Sequence, residues 1–187
     1  NNVETWANVP LIIKNGAQWY AEVGTEDSKG TKIFSLAGKV NNTGLVEVPM
    51  GTSLRTMIYD IGGGLVKEFK AVQTGGPSGG CLGEEFLDTP IDYENLAAAG
   101  SIMGSGGLIV MDDTTCMVDA CLNIAKFYAH ESCGQCTPCR EGTGWMMRVM
   151  DRLVKGEAQV EEIDMLLDVT KQVEGHTICA LGDAAAW

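Results

Sequence analysis

Long apolar runs are missing from this 187-residue chain. The longest candidates, such as GGLIVM at 106–111, are broken by Gly or charge and fall far short of the roughly 20 apolar residues that span a bilayer. The chain therefore reads as soluble, with no direct membrane insertion. Positive charge is also scarce: 13 Lys and Arg stand against 25 Asp and Glu, a formal net charge of -12. That balance excludes a broad grip on nucleic-acid phosphates or anionic lipid and leaves at most a local basic spot at Arg140 and Arg148. Only 5 prolines accompany a 45% hydrophobic composition, which excludes a disordered or fibrous chain and allows one medium domain or two small ones with real cores. No initiator Met precedes the opening NNVETWANVP, so the chain reads as part of a longer protein whose true N-terminus is absent. An even cysteine framework is lacking too: the seven cysteines are odd in number and clustered, which suits a reducing compartment and a metal centre better than disulfides.

The secondary-structure grammar changes twice along the chain. Residues 3–23 carry large apolar side chains at helical steps, predicting helical segments bent or interrupted at Pro10 and ended near Gly24. The polar cluster GTEDSKGT at 24–31 is a natural boundary. KIFSLAGKV, NNTG and LVEVPMG then predict a hairpin. TSLRTMIYDIGGG predicts a helix capped by Thr52 or Ser53, with Leu54, Met57, Ile58 and Ile61 on one face, and FKAVQTGG another strand. A small α+β unit follows from that order. YENLAAAG reads as a short helix and GGLIVMDD as a buried strand, while from Thr115 onward three helical segments predict an antiparallel bundle. In the last of them Val160, Ile163, Leu166, Leu167 and Val173 form the apolar stripe.

The chemistry concentrates in HESCGQCTPCREGTGW at 130–145, where Cys133, Cys136 and Cys139 recur at a strict three-residue interval. Such a run wraps backbone around one object and presents three thiolates from a loop bent at Gly134, as an iron–sulfur cube requires. The bacterial ferredoxin pattern supplies a Cys-Pro after three further residues, but position 143 is Thr. Cys81, Cys116, Cys121 and Cys179 are the remaining candidates for a fourth ligand. Cys116 and Cys121 sit on the helix leading to the run and read as small buried hydrophobes. Cys179, in the Gly-flanked GHTICALGD, is the best choice, because antiparallel packing returns the end of the third helix to the start of the second. Thr137 as cap and Pro138 at the first helical position would put Cys139 in the first turn, its positive end facing an anionic cluster. Arg140 could neutralise further charge, and Gly142 and Gly144 could permit close packing. A structural zinc site with His130 or His176 is the competing reading of the same cysteines.

ESCGQCTPCREGTGW followed by HTICALGDAAAW resembles the cluster-binding domain of the flavin-bearing, NADH-oxidising subunit of respiratory complex I. The same domain occurs in the related diaphorase subunits of NAD(P)-linked hydrogenases and formate dehydrogenases. Upstream, TKIFSLAGKVNNTGLVEVPMGTSLRTMIYDIGGG resembles the family's β-grasp, soluble-ligand-binding domain, and NNVETWANVP the end of its flavin domain. The resemblance implies three parts: residues 1–27 as the tail of a truncated FMN/NADH-binding domain, 28–88 as the β-grasp (ubiquitin-like) domain, and 89–187 as an antiparallel helical bundle carrying the cluster. It implies a [4Fe-4S] cluster on Cys133, Cys136, Cys139 and Cys179, and places Asn1, Asn2, Ala180 and Leu181 near FMN. It further implies that the cluster accepts single electrons from FMN reduced by NAD(P)H, in the cytoplasm or on the NADH-facing side of a membrane-associated complex. The implied partners are a thioredoxin-like [2Fe-2S] subunit and a cluster-chain or hydrogenase subunit.

The family's Gly-rich FMN and NADH segments are not in these residues. GGPSGG at 75–80 and GSGG at 104–107 lack the phosphate-binding patterns and read as loop glycines, so this stretch alone is not expected to oxidise NADH. TGGPSGGC, ending at Cys81, resembles the hydrogenase-associated relatives more than the respiratory ones. A reading of a different class remains: a non-enzymatic β-grasp binding or scaffold module fused to a zinc-stabilised bundle.

Overall fold

The computed structural model describes residues 2–187, and the chain divides into two compact units, 1–113 and 114–187. The first contains α1 (Val3–Asn15), α2 (Ala17–Ala21), β1 (Thr31–Gly38), β2 (Gly44–Pro49), β3 (Phe69–Thr74), β4 (Cys81–Leu82), α3 (Tyr93–Ala98) and β5 (Gly107–Asp112). Pro10 does not break α1, which runs on to Asn15 and stops where Gly16 turns to φ 93. Glu4, in its first turn, ties the helix to β1: its carboxylate pairs with Lys32 and accepts from the Ile33 amide at 2.7 Å.

The five strands form one mixed sheet in the order β2-β1-β5-β3-β4. β1 and β2 make the expected hairpin, Thr31 opposite Pro49 and Leu36 opposite Gly44. β5 enters between β1, to which it is parallel, and β3, to which it is antiparallel. The alternation of β1 puts Phe34 and Leu36 inside, where they meet Leu108 and Val110 of β5 and Val72 of β3. Leu54, Met57 and Ile58 cover that face with no exposed surface. They lie on a helical turn that widens to π geometry over Thr56–Ile61, closed by the Gly62 amide bonding Met57 O. Ser53 is the residue that caps it, its Oγ accepting from the Thr56 amide at 3.1 Å. This is the α+β, β-grasp arrangement expected from the sequence.

The boundary expected at 88/89 falls inside this unit, because the sheet draws its central strand from residues 107–112. The apolar run GGLIVMDD forms a buried strand, as its composition predicts, but it completes the sheet instead of opening the helical part. On the way there the chain makes α3, capped by Asp92, whose carboxylate accepts from the Asn95 amide at 2.7 Å.

The second unit is helical: α4 (Met117–Glu131), α5 (Thr137–Lys155), α6 (Glu161–Val173) and the short α7 (Ala180–Ala186). α5 packs on α4 and α6, and α7 touches all three. Cys139, Gly142, Thr143, Met146 and Val149 recur on the buried stripe of α5, the three- and four-residue steps of a helix face. Gly156, left-handed at φ 72, ends α5. The stripe expected on α6 is helical but mostly not inside: Val160, Ile163 and Leu167 are exposed and only Val173 is buried. An amphipathic period fixes which residues share a face, not which neighbour will cover it.

Candidate metal centre

Cys133, Cys136 and Cys139 lie where α4 gives way to α5. Ser132 closes α4, its amide donating to Tyr128 O at 3.1 Å. The chain then turns through Gly134 at φ 76, a left-handed conformation that glycine adopts without strain. Cys136, extended at φ -101 and ψ 137, takes the cap position of α5, so the expected cap Thr137 is instead the first helical residue and Pro138 the second. Cys139 falls in the first turn, as the sequence led us to expect. The first amides of a helix have no partner within it, and its N-terminal end carries partial positive charge. Cys136 and Cys139 thus stand at the positive end of α5.

The three thiols differ in access: Cys133 is exposed, Cys136 half-buried and Cys139 buried. Behind Cys139, the buried Thr143 hydroxyl donates to the Cys139 carbonyl at 2.8 Å. Its sulfur lies 3.3 Å from Ser132 Oγ, which also accepts from the Gly134 amide at 3.3 Å. Arg140 braces the loop from the other side. Its guanidinium donates to Gly134 O at 2.8 Å, Thr137 Oγ1 at 3.2 Å and Glu141 Oε1 at 3.0 Å. Arginine's planar fork suits several acceptors at once, and here it bridges the two sides of Cys136.

Cys179 is the exposed cap residue of α7, extended at φ -134 and ψ 166. Its segment is fastened from within α7. Asp183 Oδ1 accepts from the Gly175 amide at 2.8 Å, and Thr177 Oγ1 donates to Cys179 O at 2.8 Å while lying 3.3 Å from Asp183 Oδ1. Trp187 Nε1 reaches back to Glu174 Oε1 at 3.0 Å. A Cβ on Gly182 would come within 2.4 Å of Thr177 Cγ2, so the glycine is what lets α7 close on this segment. Ser132, Asp183 and Trp187 have no recognisable spacing relative to the cysteines in the sequence, because they act on the backbone and side chains around the sulfurs.

Cys136 and Cys179 thus both stand at helix caps without spending their side chains on cap hydrogen bonds. All the cysteines are free of disulfides, and soft thiolates suit iron–sulfur clusters and zinc alike. Among the described residues no group of three or more His, Cys, Asp or Glu side chains gathers as closely as a single metal ion needs. Cys133, Cys136 and Cys139 share one loop and helix start, whereas Cys179 stands at the cap of a different helix. His130 is exposed at the end of α4, and exposed His176 has Nδ1 2.8 Å from Glu174 O.

The other thiols are in different settings. Cys116 caps α4 and Cys121 lies one turn into it, both exposed and not buried as expected; desolvation first, and the nearby Cys116 second, push the Cys121 thiol up. Cys81 is on β4 in the first unit. Of the residues expected near FMN, Asn2 caps α1, its Oδ1 accepting from the Glu4 amide at 2.8 Å. Ala180 and Leu181 are the first residues of α7, and Asn1 lies outside the described residues.

Residues 119–187 match the sequence profile of the NADH-ubiquinone oxidoreductase-F iron-sulfur binding region. The chain is 53% identical over 184 residues to the NADP-reducing hydrogenase subunit HndC of Solidesulfovibrio fructosivorans, covering 97% of this chain and 38% of that protein. It is 54% identical over 190 residues to a subunit of the NADH-quinone oxidoreductase of Rickettsia felis, covering 100% and 45%. A crystal structure of an NAD+-reducing [NiFe]-hydrogenase in the H2-reduced state superposes with a TM-score of 0.89 at 34% identity, covering 100% of this chain and 32% of that one. The chain therefore spans less than half the length of these relatives. Among the described residues no helix is long and apolar enough to cross a membrane.

Proposed function

We propose, for a chain homologous to subunits of NADH-quinone oxidoreductases and of an NADP-reducing hydrogenase, that its helical unit holds one [4Fe-4S] cluster on Cys133, Cys136, Cys139 and Cys179. The observation that carries this reading is the placement of the cysteines. Cys136 caps α5, Cys139 lies buried in its first turn, and Cys179 caps the helix α7 that packs on α5. When bound, the cluster takes up one electron at a time, which lets the two-electron chemistry of a flavin be passed on singly.

The chain's own part is to hold and insulate. The first turn of α5 and the cap of α7 direct amide dipoles toward the thiolates. Arg140 keeps the loop from opening, and Asp183 with Thr177 fixes the backbone on either side of Cys179. FMN and NAD(P)H belong to the longer parent protein, an NAD(P)H:acceptor oxidoreductase subunit of hydrogenase or complex I type. Residues 28–88 supply most of a β-grasp domain that completes itself with β5. The partners are other iron–sulfur subunits, including a thioredoxin-like [2Fe-2S] subunit, on the cytoplasmic or NADH-facing side.

Anaerobic reconstitution with iron and sulfide tests the reading. One cluster per chain, with the absorption of a [4Fe-4S] centre and a paramagnetic signal on one-electron reduction, is expected. Stoichiometric zinc with no paramagnetic signal would overturn it in favour of a scaffold with a structural zinc.

A further inference from the structure

One side chain beside the cysteines is neither a ligand nor a helix-packing residue. Ser132 Oγ lies 3.3 Å from Cys139 Sγ and, at the same distance of 3.3 Å, receives the Gly134 amide. Its own backbone is held by the last turn of α4, and Cys139 is only 6% exposed. The oxygen is therefore fixed between two partners. If Cys139 were a thiol, either member of the Ser132–Cys139 pair could donate. A ligating sulfur is a thiolate with no proton, so the hydroxyl must be the donor. The Gly134 N–H is compatible with that direction, since it uses one lone pair of the oxygen and leaves the hydroxyl hydrogen free for the sulfur.

We infer that Ser132 is a positioning residue that donates its hydroxyl hydrogen to the Cys139 thiolate, supporting that sulfur as a ligand and raising the reduction potential of the cluster. The inference rests on the cluster assignment above. Its physics is electrostatic. Reduction adds one electron and moves no proton, so the sulfurs become more negative while the hydroxyl keeps its hydrogen. A donor then bonds the reduced state more strongly than the oxidised one, and hydrogen bonds to sulfur are among the factors that set such potentials. Shielding from water strengthens the effect at a buried sulfur. Arg140 does not compete for this role, because its three bonds go to oxygen.

The test is a redox titration of the reconstituted chain followed by electron paramagnetic resonance, in the wild type and in Ser132→Ala, Ser132→Val and Ser132→Thr. Loss of the hydroxyl is expected to make the midpoint more negative by about 59 mV, the one-electron equivalent of a tenfold change in the reduction equilibrium. Ser132→Thr keeps the hydroxyl and should titrate near the wild type, whereas Ser132→Val, which matches threonine in shape, should follow Ser132→Ala. If the alanine and valine proteins failed to load while the threonine protein loaded, the donor would still be identified, through its support of the ligand. Unchanged midpoints in Ala and Val, a shift common to all three, or loading lost in all three would overturn the inference. A wild type that takes up no [4Fe-4S] cluster would instead overturn the reading on which it rests.

Discussion

Gly142 of α5 and Val173 of α6 meet so closely that a Cβ on the glycine would lie 2.3 Å from Val173 Cγ2. Val173 is 1% exposed, so it has no room to retreat. This contact sits one turn beyond Cys139 and clamps the first part of α5 to the last turn of α6, from which the chain departs toward Cys179. Gly142→Ala should destabilise the helical unit by about 1–3 kcal/mol, the usual penalty for overpacking. Gly144 is the control: its nearest neighbour is the far end of the Arg148 side chain, at 3.3 Å. Gly144→Ala should be neutral, or stabilising by up to about 1 kcal/mol through helix propensity. Denaturant unfolding followed by helical ellipticity distinguishes the two, and Gly142→Ala combined with Val173→Ala should recover part of the loss.

The cysteines should separate by setting. Cys139→Ser and Cys179→Ser are expected to abolish the cluster or leave it too labile to isolate. Cys116→Ser and Cys121→Ser should retain full iron and sulfide content, with at most a small loss of stability at Cys121. Iron and acid-labile sulfide per chain is the measurement. Retention in Cys179→Ser together with loss in Cys81→Ser would move the fourth ligand to the other unit.

Asp183 holds the segment around Cys179 through the Gly175 amide and the Thr177 hydroxyl. A bond to a charged acceptor contributes about 1.5–3 kcal/mol, and its loss acts locally by letting the segment open. Asp183→Ala should load a cluster that bleaches several-fold faster under an iron chelator. Asp183→Asn retains an acceptor oxygen and should fall between the two.

Acid should loosen the α5–α6 connection in a defined window. Arg152 in the last turn of α5 pairs with Glu162, and the Gln159 amide donates to Glu162 Oε2 at 2.9 Å. These contacts, Arg152 first, hold the Glu162 carboxyl below the usual glutamate range. The folded state thus binds this proton less readily than the unfolded state. The resulting stability is fully present above the ordinary glutamate pKa and is lost as pH falls through the lower folded value. Glu162→Gln should remove that part of the pH dependence, read as a flatter plot of unfolding midpoint against pH.

Much of this was legible from residue types and spacing. The hairpin, the apolar face of Leu54, Met57 and Ile58, and the position of Cys139 in a first helical turn all follow from local chemistry. What escaped was relational. GGLIVMDD announces a buried strand, yet nothing within it says that its partners are β1 and β3, and so a boundary at 88/89 comes too early. Thr137 has the better capping side chain, but Cys136 takes the cap because the loop through Gly134 brings the chain to the helix one residue sooner. The stripe on α6 has the right period, yet of its residues only Val173 is buried, against Gly142 of α5. Ser132 and Asp183 lie in plain view, but their roles depend on distances that only folding creates.

The place of β5 in the sheet sets an order on the chain's birth. A ribosome delivers β1 and β2 early, and they can pair at once as a local hairpin. β1 and β3 do not pair with each other, and nothing joins them in the sheet until residues 107–112 arrive to lie between them. Until then each presents an open edge, the kind of surface that invites pairing with the wrong chain. The closing pairings, Ser35 with Gly107 and Gly38 with Val110, join distant parts of the sequence, so sheet completion is a slow step by topology. Synthesis that pauses anywhere between β3 and Gly107 would leave a nascent chain in need of a chaperone, and a truncation there should accumulate as aggregate.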